Sequence, residues 1–137
     1  MGRKYIKEPE LKETEIFVNK PNYSASTKDG EKIGNYILSN GKIAKIFFNN
    51  ADINTPQYTI ISADKEFLDY IIKNYTITYD EPNVEAISRS DGCMKSLHYI
   101  ITEFYYKNKE IARVIHKNGD SMDNTMENLD IKIKESA

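Results

Sequence analysis

A chain of 137 residues with 39% hydrophobic content supports one domain, or one small domain with an extended arm, around a modest core. A formal net charge of −2 excludes reading nucleic-acid affinity from bulk charge, because proteins that neutralise phosphates carry a clear excess of Lys and Arg. The single cysteine, Cys93, excludes an internal disulfide and fits a reducing cytosol, and the lack of a bilayer-length apolar run or a signal-peptide core after Gly2-Arg3-Lys4-Tyr5 argues against a membrane.

Residues 1–33 read as an N-terminal arm of mixed charge, with seven Lys or Arg against six Asp or Glu. Glu15 to Asn19 is the one strand expected there, and Pro21 to Gly30 reads as a loop. Residues 34–95 read as a small β-rich module with one helix. Tyr36 to Leu38 and Ile43 to Phe48 are expected strands around Asn40-Gly41, because Asn-Gly favours the positive φ of tight hairpins. Asn49 to Gln57 is an expected loop, and Tyr58 to Ile61 a short strand. Ser62 is the expected helix cap. Asp64 and Glu66 then complement the helix dipole, and Phe67, Leu68, Ile71, Ile72 and Tyr75 make one apolar stripe. Tyr75 to Tyr79 is β-prone, Asp80-Glu81-Pro82-Asn83 a turn, Val84 to Ser88 a strand and Ser90-Asp91-Gly92 a turn. Cys93 beside Met94 is expected to be a small buried hydrophobe. Residues 34–85 carry four Lys against seven Asp or Glu, which makes this the acidic part of the chain.

In residues 96–137, Ser96 is expected to cap a second helix with Leu97, Ile100, Ile101, Phe104 and Tyr105 buried. Both helical stripes read as core. His98, at the start of this helix, is expected to be structural and bonded to a backbone group. Lys107, Lys109, Arg113 and Lys117, interleaved with Tyr105 and Tyr106, read either as a patch touching phosphates and bases or as a solvated face. Val114 to His116 is an expected strand, Asn118-Gly119-Asp120 a tight loop, Asp123 to Leu129 a short helical turn, and Leu129 to Lys134 an alternating last strand. His98 and His116 lie eighteen residues apart with no Cys or Glu-x-x-His context, which gives a zinc site little support.

The run from Val114 to Leu129 resembles the core motif of HNH nucleases of the phage and intron-homing type. Its pieces are Ile115-His116-Lys117-Asn118-Gly119-Asp120, then Asp123-Asn124, then Glu127-Asn128-Leu129. Weaker likenesses stand upstream in the same order: Ile37 to Ala44, Ile60 to Leu68, and Leu97-His98-Tyr99-Ile100-Ile101. The resemblance covers roughly residues 34 to 134. The family's Arg after the helix histidine is Tyr99 here. It implies an α+β fold of small antiparallel strands with two main helices, followed by a truncated ββα-metal motif.

The resemblance also implies roles. His116 matches the general base and Asn128 the residue that fixes the loop presenting it. In active members a divalent metal stabilises the phosphate while a neutral imidazole takes a proton from water. Ile115 stands where the first metal-binding carboxylate is expected, and an aliphatic side chain coordinates no cation. The second ligand would fall about nine residues past Asn128, where the chain reads Ala137. Asp120, Asp123 and Asp130 are the candidate substitutes. No cofactor is therefore expected. The leading expectation is a catalytically silent protein of phage or mobile-element origin, acting in the bacterial cytoplasm. It would bind a host protein or protein–nucleic acid complex and inhibit a nucleic-acid-processing defence such as a CRISPR effector. The alternatives are an active Mg²⁺- or Mn²⁺-dependent DNA nickase with a rebuilt site, and a DNA-binding regulator.

Overall fold

Gly41 turns the chain between strands β2 (Ile37–Ser39) and β3 (Ile43–Phe47) with a φ of 94°, the left-handed value that the Asn-Gly pair anticipates. Asn40 closes the turn from the side, its Oδ1 accepting the N–H groups of Lys42 and Ile43 at 2.9 Å each. The computed structural model describes residues 8–21, 34–50 and 54–134; Ala137 and most of the Pro21 to Gly30 loop lie outside the described residues. The remaining elements are β1 (Ile16–Asn19), β4 (Tyr58–Ser62), α1 (Lys65–Asn74), β5 (Tyr75–Asp80), β6 (Asn83–Ser88), β7 (Met94–Ser96), α2 (Leu97–Tyr105), β8 (Ile111–His116), β9 (Asp123–Asn124) and β10 (Leu129–Ile133). This is an α+β fold dominated by antiparallel pairing. Among the described residues the sheets run β1-β2-β3-β4-β9, β5-β6-β7 and β10-β8, and only β9 joins its neighbour, β4, in parallel. Among the described residues no helix is long and apolar enough to cross a membrane.

Alternation builds the core. Ala44 and Ile46 of β3 and Thr59 and Ile61 of β4 point inward and are buried. Against them pack Phe67, Leu68 and Ile71 of α1 and Leu97, Ile100 and Ile101 of α2, joined by Ile77, Val84 and Leu129. Each buried Ile, Leu or Phe stabilises the fold by about 1.5–3 kcal/mol. Thr102 is also buried, and its hydroxyl donates to the Tyr99 carbonyl at 2.8 Å.

Two asparagine side chains dock the first sheet against β5. Asn35 Nδ2 donates to the Ile77 carbonyl at 2.7 Å while its Oδ1 accepts the Ile77 N–H at 2.9 Å. Asn50 treats Tyr79 in the same way, at 2.7 and 3.0 Å. Ile77 and Tyr79 expose their backbone groups on the edge of β5 away from β6, so the two amides stand in for a neighbouring strand.

Several local expectations are corrected. Asp64, not Ser62, caps α1, its Oδ1 accepting the Glu66 N–H at 3.1 Å. Ser62 still belongs to β4, and its hydroxyl oxygen accepts the Met126 N–H at 3.0 Å. Ser96 occupies the cap position of α2 without a side-chain cap bond, and the short strand β7, absent from the sequence reading, immediately precedes it. Cys93 is exposed, because it lies in a turn where its N–H bonds Asp91 Oδ1 at 2.9 Å and its carbonyl accepts from Ser88 at 2.9 Å. Asp123 to Leu129 divides into β9 and a 3-10 turn over Met126–Asn128.

Candidate functional site

β8 and β10 make a two-stranded ribbon in which Leu129 faces His116, Asp130 faces Ile115, Ile131 faces Val114 and Lys132 faces Arg113. Alternation turns Val114 and Ile131 onto the core and leaves Arg113 and Ile115 outside. His116 ends β8, and the chain reverses at Gly119, with a φ of 75° and an N–H that donates to the His116 carbonyl at 3.0 Å.

Asn128, buried in the 3-10 turn, holds this loop at three points. Its carbonyl accepts the Lys117 N–H at 2.8 Å. Its Oδ1 accepts the Asn118 N–H at 3.0 Å, and its Nδ2 donates to Asn118 Oδ1 at 2.9 Å and to the Asp123 carbonyl at 2.8 Å. Asn118 Oδ1 takes a further bond from the Asp120 N–H at 2.8 Å. The side chain thus bonds the loop on both its donor and acceptor sides.

A chain of donors fixes the His116 tautomer. Thr59 Oγ1 donates to the Met122 carbonyl at 2.7 Å, so it accepts from Asn124 Nδ2 at 2.8 Å. Asn124 Nδ2 spends its other hydrogen on the Ser121 carbonyl at 3.0 Å. Asn124 Oδ1 is then an acceptor, and the contact of 2.7 Å to His116 Nε2 places the imidazole proton on Nε2. The lone pair of neutral His116 is on Nδ1. Asn124 is fully buried, held there by the parallel pairing of β9 with β4.

α2 supplies the second histidine. The His98 and His116 ring centres lie 5.1 Å apart with their planes at 81°. Burial, then the neighbouring His116, pushes the His98 imidazole down to about 4, so it is neutral near pH 7. Neither ring nitrogen of His98 has a hydrogen-bond partner among the described residues, where a backbone group was expected. The eighteen-residue separation gave no warning of this meeting; helical spacing alone places His98 on the flank shared with Ile101 and Tyr105.

Both signs of charge border the loop, with Lys117 exposed directly after His116 and Asp120 three residues further on. Asp120 belongs to the loop, Asp123 to β9 and Glu127 to the 3-10 turn, and Ser121 Oγ donates to the Pro82 carbonyl at 2.9 Å, which brings in the exposed Asp80-Glu81 turn. Asp123 is engaged, bonding Asn118 Nδ2 at 3.1 Å and Thr125 Oγ1 at 2.7 Å. Asp130 lies opposite Ile115 and ion-pairs with Lys132 at 3.5 Å. A hard cation such as Mg²⁺ is usually held through one or two carboxylates. The position beside the histidine offers an outward-facing Ile115, and among the described residues no three His, Cys, Asp or Glu converge. Ile115 offers no ligand atom at that position.

The predicted basic patch separates into three places. Lys107, Lys109, Tyr105 and Tyr106 line a cavity of about 490 Å³ whose other wall holds Asp64 and Glu66. Tyr105 donates its hydroxyl to Asp64 at 2.5 Å, and Lys107 Nζ sits 5.1 Å over the Phe104 ring. Burial and the Asp64 bond push the Tyr105 phenol well above its ordinary range. Arg113 lies on the outer ribbon face opposite Lys132, and Lys117 in the loop. No family model, curated protein or solved structure matches this chain.

Proposed function

We propose that the chain is a catalytically silent, HNH-like protein of phage or mobile-element origin that acts by binding a basic host protein, and that it inhibits a nucleic-acid-processing defence of the CRISPR-effector kind. The carrying observation is the character of the surface around His116. The loop that would meet a phosphodiester carries one cation, Lys117, against Asp120, Asp123 and Glu127, with Asp80 and Glu81 joined through the Ser121–Pro82 bond. Such a field repels DNA and complements the basic groove of a nucleic-acid-binding protein. Ile115 in place of a carboxylate supports the same reading. The asparagine scaffold is meanwhile intact, giving a rigid loop suited to recognition.

The test has two arms. Supercoiled plasmid is incubated with the protein and Mg²⁺ or Mn²⁺, beside His116→Ala, and no nicking is expected. A guide-loaded CRISPR effector is then assayed for target cleavage with and without the protein, and inhibition is expected. Cleavage that disappears in His116→Ala would replace this reading with a nickase. That second reading draws on the Nδ1 lone pair of His116, which the Asn124 bond leaves available as a proton acceptor.

A further inference from the structure

We propose that His98 and His116 together form a site for a borderline divalent transition metal, with Zn²⁺ and Ni²⁺ the ions to expect. The inference is independent of the protein-binding reading, because it concerns the isolated chain. It rests on the geometry and hydrogen bonding of two side chains from separate elements, α2 and β8.

The spacing fits. Two imidazoles on one tetrahedral zinc, each bonded at about 2.0–2.1 Å, hold their ring centres roughly 5 Å apart. Here the separation is 5.1 Å. The protonation fits as well. A ligating imidazole must be neutral, and it commonly donates its other ring N–H to a fixed acceptor that sets the tautomer. His116 donates from Nε2 to Asn124 Oδ1 at 2.7 Å, with Asn124 itself locked by Thr59 and Ser121. Its Nδ1 has no partner among the described residues, nor has either nitrogen of His98.

Access completes the argument. Among the described residues the one fully buried side-chain nitrogen or oxygen without a partner is Asn49 Oδ1. His98 and His116 are each half-buried, so neither ring is sealed from solvent. Imidazole pairs suit borderline ions and not Mg²⁺ or Ca²⁺, which take oxygen ligands. With two protein ligands the remaining coordination positions fall to water. The site is thus distinct from the carboxylate site of the homing-type pattern, which these residues do not build.

The full chain, stripped with chelator, is titrated calorimetrically with ZnCl₂, NiCl₂ and MgCl₂, beside His98→Gln and His116→Gln. One equivalent of Zn²⁺ and of Ni²⁺ is expected to bind, Mg²⁺ to give no heat, and each variant to lose at least about tenfold in affinity. Ring ¹⁵N resonances of the unmutated protein provide a readout that needs no variant. Both His98 and His116 shift together on saturation if they share the ion. Resonances that stay in place, a shift in one ring only, or undiminished binding by both variants would overturn the site and leave the two rings as a packing contact.

Discussion

Asn124 Oδ1 lies 2.7 Å from His116 Nε2, and this one contact decides where the imidazole keeps its proton. The amide has no freedom to turn round, because Thr59 and Ser121 use both of its hydrogens. Asn124→Leu keeps the volume and removes all three bonds. The buried acceptor at Thr59 and the part-buried one at Ser121 would lose their donor, so the expected cost is about 2–4 kcal/mol in urea unfolding. The ring ¹⁵N shifts of His116 should move from a pure Nε2–H pattern to a mixture of tautomers. An unchanged pattern would mean that something other than Asn124 orients the ring.

Asn35 and Asn50 make equivalent bonds to β5 but differ in burial, and that difference predicts unequal costs. Asn35 is 3% exposed, so Asn35→Ala strands the backbone groups of Ile77 away from water. A loss of about 2–3 kcal/mol is expected. Asn50 is exposed, water replaces it at Tyr79, and Asn50→Ala should cost under about 1 kcal/mol. Paired urea melts of the two variants check the order.

These contacts also mark where sequence reading stops. The Asn40-Gly41 turn, the stripe of Phe67, Leu68 and Ile71, and the extent of strand β10 were legible because each is set by neighbours within a few residues. Asn128 was expected to fix the loop only from a resemblance to a known motif, and in the fold it bonds Lys117, Asn118 and Asp123. Asn35 meets Ile77 across 42 residues and Asn124 meets Thr59 across 65, and no local period encodes such partners. His98 was read as a structural residue at a helix start, bonded to a backbone group, whereas its surroundings are set by β8 packing on α2. Cys93 was misplaced because hydrophobicity argues for burial and the turn geometry of Asp91 to Cys93 overrides it.

His98 makes stability depend on pH. Its ordinary value is near 6.5, and in the fold it is lowered to about 4 by burial first and by His116 second. As pH falls below 6.5 the unfolded chain gains the proton and the folded chain resists it, so stability present above the unfolded value is lost between 6.5 and 4. Allowing for partial exposure, the loss is about 1–2 kcal/mol. Chemical denaturation in metal-free buffer at pH 7 and pH 4.5 measures it. His98→Phe should lessen the slope over this interval, and an identical slope in the variant would assign the dependence to other groups.

Asn128→Ala tests whether the loop is held from one side chain. Four contacts to Lys117, Asn118 and Asp123 involve Asn128, three of them through its amide. Without that amide, hydrogen exchange at Asn118 and Asp120 should quicken by about tenfold or more while the α1 and α2 amides keep their protection, for a net loss of about 1–3 kcal/mol. Uniform acceleration through both helices would instead make Asn128 a general stability residue.

Reversing charge at the loop separates the proposed protein partner from DNA by the sign of the effect. Asp80, Glu81 and Asp120 are exposed and make no ion pair among the described residues, so each converts to Lys without breaking a salt bridge. The Asp120→Lys change does remove the Oδ1 acceptor of the Met122 N–H, a bond of 2.9 Å, which makes Asp80→Lys with Glu81→Lys the cleaner pair. A basic partner would bind this double variant about tenfold more weakly, mainly through a slower on-rate, and the deficit would shrink as salt is raised. Duplex DNA would respond in the opposite direction, because two added cations meet phosphates that the native carboxylates repel. Surface-resonance kinetics against a guide-loaded CRISPR effector and against a plain duplex, at two salt concentrations, read both signs on the same samples. Glu103→Lys, on α2 and ion-paired at 2.8 Å with Lys95, serves as a reversal outside the loop and should leave both rates near the native values. Tighter effector binding by the double variant would reject the acidic loop as the contacting surface.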